Sequence, residues 1–275
     1  MRLPSFRRST FLAALIIAAN GFIPALWVFF TSMKTETELM RVPITILPDA
    51  PTAENYVRVF VDQPILVFMT NSFVVASLST LLCVIVSALA AYAIVRLRVP
   101  MGTLVLSAIV LVSMFPLISL MVPLFQIMRG LGLLNTWPAL ILPYAVLSMP
   151  VCTLVLASFF QDIPEDLEKA AMIDGCTRLG AMWRIIMPLS GPGVFTAAIL
   201  AFVNAWDEFL LALTLSSRVP SRTLPVGITL YQGEFAFPWP IISAALIVAI
   251  VPICVLIVVF QERVVGGLTA GGVKG

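Results

Sequence analysis

The sequence predicts an all-α membrane protein with six transmembrane helices. Hydrophobic residues make up 60% and charged residues 11% of the 275 residues, compared with about 45–50% and about 25% in soluble domains. Six apolar stretches each reach the roughly 20 residues that a helix needs to cross a bilayer. These stretches cover approximately residues 11–33, 68–95, 102–127, 138–160, 191–214 and 240–260.

Lysine and arginine predict that both termini lie in the cytoplasm, because short cytoplasmic loops are enriched in these residues. Three arginines precede the first span and two follow the second, whereas only Arg129 lies between the third and fourth. Segment 161–190 then faces the cytoplasm, and loops 34–67 and 215–239 face outside. The first span is expected to stay uncleaved, because no small-residue cleavage site follows it. Prolines in loop 34–67 predict an extended or turn-rich segment.

Residues 161–190 form a polar segment between the fourth and fifth predicted spans. Asp162 as N-cap, Pro164 near the first helical position and Gly175 as a stop predict a helix over 165–174. A second helix is predicted over 178–187, with Thr177 as its cap and Pro188 at its end.

One face of the first predicted helix is small and nearly flat, which suits a groove on another protein. The residues that share this face by their spacing are Leu167, Ala170, Ala171 and Asp174. The alternative is a polar loop that only connects two spans, and composition by itself does not distinguish the two interpretations.

The polar segment resembles the signature loop of permeases from binding-protein-dependent ABC importers. That loop has Glu-Ala-Ala, then Gly after three residues, and later Ile-x-Leu-Pro. The matching residues here are Lys169-Ala170-Ala171, Gly175, Ile185 and Pro188. Lys169 stands where Glu is usual, and Met187 replaces Leu. The neighbouring Glu168 is expected to take over any salt bridge to an arginine of a partner.

Other stretches resemble the carbohydrate branch of these permeases. These stretches are residues 31–35, 54–56, 130–136, 206–209 and 266–275. Over essentially its full length, the chain is most similar to the maltose/trehalose-type second permease. The resemblance implies the type I ABC importer permease fold, a single permease domain over 1–275, and a location in the inner or plasma membrane of a prokaryote. It also implies a carbohydrate substrate, such as the disaccharides trehalose or maltose.

The resemblance further implies several partners: a second permease that forms a heterodimer with this chain, two cytoplasmic ATPase subunits that bind ATP and Mg, and an extracytoplasmic sugar-binding protein. Segment 161–190 would be the coupling-helix loop that contacts the ATPases. The candidate coupling residues are Glu168, Lys169, Ala170, Ala171, Asp174 and Gly175.

An ATPase site within this chain is not predicted. Gly175 and Gly180 have the spacing of a phosphate-binding loop, but Ala181 and Met182 stand where Lys and Ser or Thr are needed. The absence of histidine removes the commonest general base, and the four cysteines are scattered. We therefore expect a translocation subunit that is not an enzyme, binds no metal or cofactor, and does not bind nucleic acid.

Asp207 and Glu208 are the acidic residues within the predicted spans. They lie about 24 Å from the inner end of the fifth span at 1.5 Å per residue. With Asn204 and Trp206 they are candidates for hydrogen bonds to sugar hydroxyls and for stacking on a sugar ring. The alternative is a structural pair whose polar atoms are satisfied by the backbone or by the partner permease.

Two further alternatives stay open at this point. The outer-loop residues Glu234, Phe235, Phe237 and Trp239 either contact the binding protein or belong to a proline-rich turn. The chain could also be an ion- or proton-coupled secondary transporter in which Asp207 or Glu208 titrates. The lack of charges at the membrane midplane and of an evident internal repeat disfavours this second class.

Overall fold

The computed structural model describes residues 5–233 and 237–270, with side chains described for 10–233 and 237–260 except 103 and 112. Every regular element within these ranges is helical, which confirms the all-α prediction. The α-helices are α1 Ser5–Ser32, α2 Glu36–Leu39, α3 Glu54–Val61, α4 Ile65–Val95, α5 Gly102–Ser113, α6 Leu117–Gly130, α7 Trp137–Asp162, α8 Glu165–Ile173, α9 Arg178–Ala181, α10 Met187–Leu189, α11 Gly191–Asp207, α12 Leu210–Leu215, α13 Leu224–Ile228 and α14 Trp239–Ala270.

In the described part of the chain, four helices are long and apolar enough to cross a membrane, and a bent pair gives a fifth candidate. The four are Thr10–Ser32, Ile65–Val95, Trp137–Asp162 and Trp239–Phe260. The bent pair consists of Arg178–Leu189 and Gly191–Asp207, at an angle of 83°. The count of six spans therefore stays a prediction.

The predicted third and fifth spans are each interrupted. The third is divided into α5 and α6, and Pro116 occupies the N-cap position of α6. A proline cannot donate a backbone hydrogen bond, and it disfavours helical geometry in the residue before it. The fifth is divided into α11 and α12, with Glu208 and Phe209 between them.

The described residues fall into two compact units. One unit comprises residues up to Leu66 together with Gly227–Pro252, and the other comprises Val67–Val226 and the residues from Ile253 onwards. The prediction of a single domain remains a prediction.

In the first unit, the loop that begins at residue 34 is irregular and rich in turns over residues 40–53, as predicted, but it also contains two short helices that were not predicted. It contains α2 and α3, and the buried Asn55 donates hydrogen bonds of 2.8 Å to the carbonyls of Ser32 and Lys34. The Glu38 carboxylate accepts from the Asp49 amide and the Thr45 hydroxyl. These bonds, the one from Asp49 foremost, lower the pKa of Glu38. Side-chain contacts of this kind are not visible in hydrophobic periodicity.

The core of the second unit lies where α4, α7 and α11 pack closely. Small residues line the contact, including Ala88 of α4, Ala145 of α7 and Ala197 of α11, all with no exposed surface. Gly193 of α11 lies against the ring of Phe159, where an added Cβ would come within 2.4 Å of ring carbons. Small side chains let helix backbones approach in a membrane protein, and the second unit uses this to hold α7 against α11.

Candidate coupling and translocation sites

The helix predicted over 165–174 is present as α8, Glu165–Ile173, and Gly175 follows it with φ of +92°. Glycine tolerates this left-handed conformation without a steric penalty. The prediction that Asp162 is the N-cap is wrong, because Asp162 ends α7 and Pro164 occupies the cap position of α8.

The second predicted helix begins as expected but has a different form. The Thr177 hydroxyl accepts a 3.1 Å hydrogen bond from the Gly180 amide, which confirms the predicted cap. The chain then passes from α9 into a π-helical turn, Met182–Ile186, and into α10. Pro188 does not end the helical path, because it lies in the first turn of α10, where its missing N–H is tolerated.

The exposed face of α8 differs from the predicted face at one residue. Leu167, Ala170 and Asp174 are exposed as expected, but Ala171 is only 8% exposed and packs inward. Ile173 is 86% exposed and joins the exposed face. A partner would therefore meet a mixed apolar and charged surface.

Glu168 points into the protein and joins α8 to α4. Its carboxylate accepts a hydrogen bond from the Tyr92 hydroxyl and lies 3.9 Å from Arg96 Nε. The guanidinium of Arg96 also donates to the carbonyls of Phe160 and Ile163 at the end of α7, at 2.6 and 2.5 Å. We call Tyr92, Arg96 and Glu168 the Glu168 anchor.

This burial changes the interpretation of the Lys169 position. Glu168 is 9% exposed, so its carboxylate is not available to replace the usual acid in a contact with a partner. Lys169 itself is exposed and pairs along its own helix, at 3.1 Å from Asp166 and 3.8 Å from Glu165. Tyr92 and Arg96 were not predicted from the sequence as partners of Glu168. Their position, a tyrosine and an arginine at the end of a predicted span, was the feature that could have indicated such a contact.

Glu208 caps the helix that follows the break in the fifth span. Its carboxylate accepts from the amides of Leu211 and Ala212 at 2.9 and 3.1 Å, and from the Tyr144 hydroxyl at 2.6 Å. Carboxylates are favourable at helix N-termini because free amides point towards them. These bonds support the alternative of a structural carboxylate satisfied by the backbone. Tyr144 was not anticipated from the sequence.

The four candidate pathway residues do not form one cluster. Asn204 and Glu208 line a cavity of about 520 Å³, whose walls come mostly from apolar residues of α6 and α7. Asn204 donates a 3.1 Å hydrogen bond to the Ser148 hydroxyl. Trp206 is 3% exposed and stacks on Phe202, with 5.9 Å between ring centroids. Asp207 is exposed and does not line this cavity.

The candidate contact residues in loop 215–239 are described only in part. Glu234 and Phe235 lie outside the described residues. Phe237 and Trp239 stack with their ring centroids 6.0 Å apart, and each is more than half exposed. Their contact with a binding protein stays a prediction.

The family model for the inner membrane component of binding-protein-dependent transport systems matches residues 84–269. The chain belongs to this family. The fold agrees, because a chain of a crystal structure of a bacterial ABC transporter involved in the import of the acidic polysaccharide alginate aligns with a TM-score of 0.78 at 20% identity, over 95% of this chain and 98% of that one.

Three relatives are named as permeases of sugar transport systems. The sulfoquinovosyl glycerol permease SmoH of Agrobacterium fabrum is 65% identical, over 96% of this chain and 93% of its own. The trehalose permease SugB of Mycobacterium tuberculosis is 41% identical, over 98% and 99%. The trehalose/maltose permease MalG of Thermococcus litoralis is 39% identical, over 96% and 95%. The chain is therefore a multi-pass inner-membrane permease subunit of a sugar ABC importer.

Proposed function

We propose that this permease subunit forms half of the translocation pore of an importer for sulfoquinovosyl glycerol or a close analogue. The observation that carries the proposal is the 65% identity, over 96% of the chain, to a permease named for that compound. The relatives named for trehalose share 41% and 39% identity. The predicted substrates trehalose and maltose are thus the weaker candidates. Sulfoquinovose carries a sulfonate, so the proposed substrate is an anionic glycoside.

We further propose that two separate ATPase subunits drive transport through α8, and that a second permease and a sugar-binding protein complete the importer. The exposed Leu167, Ala170 and Ile173 offer an apolar contact surface on α8. The Glu168 anchor joins the opposite face of α8 to α4. Movement of α8 on ATP binding would therefore act on a membrane helix, and alternating access follows if the two resulting states differ in affinity for the substrate.

Uptake into proteoliposomes that contain the assembled importer tests the substrate and the energy source together. With the binding protein outside and ATP inside, we expect sulfoquinovosyl glycerol to be imported at least about tenfold better than trehalose or maltose, a difference of about 1.4 kcal/mol. Preferred uptake of trehalose would overturn the substrate. Uptake that needs a proton gradient and no ATP would instead establish a secondary transporter.

A further inference from the structure

A second cavity lies at the end of α4 opposite to the Glu168 anchor. Its volume is about 520 Å³. Its polar lining includes Asn71, Asn135, Thr136, Arg218 and Ser221, and Trp137 contributes an aromatic surface. We call it the Arg218 cavity. Asn71 precedes Tyr92 by 21 residues on α4, which is about 32 Å at 1.5 Å per residue. This matches a hydrocarbon core of about 30 Å, so the cavity faces outside if α8 is cytoplasmic.

Asn71 holds one side of the cavity in place. It is 4% exposed, and its amide nitrogen donates to the carbonyls of Pro220 and Arg222 at 2.8 and 2.9 Å. Its amide oxygen accepts a 3.0 Å hydrogen bond from Trp137 Nε1. One buried side chain thus joins a membrane helix, an indole ring and the loop that carries Arg218. Fully satisfied buried networks of this kind hold their members in one arrangement.

Asn135 holds the backbone of Arg218. Its side-chain oxygen accepts from the Arg218 amide at 2.8 Å and from the Ser217 hydroxyl at 3.1 Å. The backbone N–H of Asn135 donates to the Leu215 carbonyl at 2.9 Å. The backbone φ of Asn135 is +63°, a conformation that asparagine adopts more readily than most residues. The backbone at Arg218 is therefore positioned independently of the arginine side chain.

The Arg218 side chain is the charged group of the cavity. It is exposed, and among the described residues its guanidinium makes no hydrogen bond or ion pair. A guanidinium presents donors in a planar fork that fits the oxygens of an anionic group. Trp137 remains 43% exposed although its ring nitrogen is bonded, so part of the indole is available to an apolar sugar face. A cation, a fixed indole and hydroxyl groups together suit an anionic glycoside.

We propose that the Arg218 cavity binds the sulfonate of the transported glycoside at the outer mouth of the permease, with Trp137 packed against the sugar. The proposal rests on the proposed function, because it requires an anionic substrate. It assigns this subunit a direct part in recognition, in addition to that of the binding protein. The relevant cation is Arg218, because Arg222 in the same loop does not line the cavity and donates a hydrogen bond to the Ser217 carbonyl instead.

The test compares Arg218→Gln with Arg129→Gln in the assembled importer in nanodiscs. Arg129 is exposed near the same end of the unit but does not line the cavity. Binding of radiolabelled sulfoquinovosyl glycerol, measured without the binding protein, should weaken at least about tenfold in Arg218→Gln, as expected for losing a charge-assisted contact. It should change less than about twofold in Arg129→Gln. Glucosyl glycerol, which lacks the sulfonate, should show no difference between Arg218→Gln and wild type.

Several outcomes would overturn the proposal. Unchanged binding and uptake in Arg218→Gln would remove the cavity from recognition while leaving the importer assignment intact. Equal weakening for the sulfonated and neutral glycosides would show that the substitution acts on the loop rather than on the anion. If Arg218→Gln weakens association of the empty binding protein instead, the cavity is a protein-docking surface. Failure of the wild-type importer to bind or import sulfoquinovosyl glycerol would overturn the substrate and the cavity together.

Discussion

The two ends of α4 are joined to neighbouring segments by different kinds of polar contact. At one end, the ionisable residues Tyr92 and Arg96 hold Glu168 of α8. At the other end, the neutral Asn71 holds Trp137 and the loop around Pro220. Asn71 uses both its donor and its acceptor, whereas Arg96 Nε is buried, 3.9 Å from Glu168, and has no hydrogen-bond partner among the described residues. The Asn71 side chain is therefore fully used, but the loop that it holds also contains a buried nitrogen without a hydrogen-bond partner among the described residues, Nε of Arg222.

The difference between an ionic and a neutral contact predicts that the two ends of α4 differ in their sensitivity to displacement of a neighbouring group. A buried charge whose partner is lost or displaced carries a large desolvation cost, so an ionic contact is sensitive to small shifts. A neutral network loses less when one member is removed. We expect the junction of α4 with α8 to be more sensitive to displacement than the contact of Asn71 with the loop around Pro220.

The largest expected effect is that of Glu168→Ala. It would leave the Arg96 guanidinium buried without its carboxylate, which costs about 3–5 kcal/mol in comparable buried pairs. Thermal unfolding of the purified permease complex measures the loss. Glu165→Ala is the matched control, because that carboxylate is half exposed and pairs with Arg98 at the surface, where pairs contribute about 0–1 kcal/mol. Equal effects of the two substitutions would contradict a buried anchor.

The next largest effect is expected for Asn71→Ala. It removes three hydrogen bonds and leaves carbonyls in the cavity frame without a donor, at a cost of about 1–3 kcal/mol. Asn204→Ala, which loses one bond to Ser148, should cost less. Denaturant unfolding compares the two. If Asn71→Ala destabilises as strongly as Glu168→Ala, the contrast between the two ends of α4 is wrong.

Glu208→Gln should cost about 1 kcal/mol, because an amide has one acceptor oxygen for the three donors that the carboxylate now serves. Uptake measured as a function of substrate concentration shows whether Glu208 has a role beyond capping α12. A structural cap predicts reduced thermal stability with little change in substrate affinity. A change in affinity at unchanged stability would instead support its role in the pathway.

Ala170→Arg should change stability least, within about 0.5 kcal/mol, because Ala170 lies on the exposed face of α8. If that face contacts the ATPases, the bulky charge should nevertheless abolish transport. Assembly with the ATPase subunits and substrate-stimulated ATP hydrolysis are the measurements. Asp166→Arg, a charge change on an exposed residue of the same helix, shows whether position or charge is responsible. Normal transport in Ala170→Arg would disprove this contact surface.

Much of the local structure of segment 161–190 could be predicted because its signals are local. Thr177 and Gly175 determine caps and turns through contacts with residues a few positions away, and both predictions are confirmed. The inward orientation of Glu168 could not be predicted in the same way. Its partner Tyr92 is 76 residues distant in the chain, and helical spacing places Leu167 and Ala171 on one face without specifying which residues will be covered.

The sequence by itself determined the all-helical membrane architecture and the local structure of much of segment 161–190, because these depend on composition, apolar length and local spacing, and its motifs showed the resemblance to the family. Only the tertiary structure decided that Glu168 faces inward, that Glu208 caps α12, and that Asn71, Trp137 and Arg218 meet at one cavity. Those outcomes depend on contacts between residues far apart in the chain. Each polar side chain had several ways to be satisfied, and the packing of helices selected one of them.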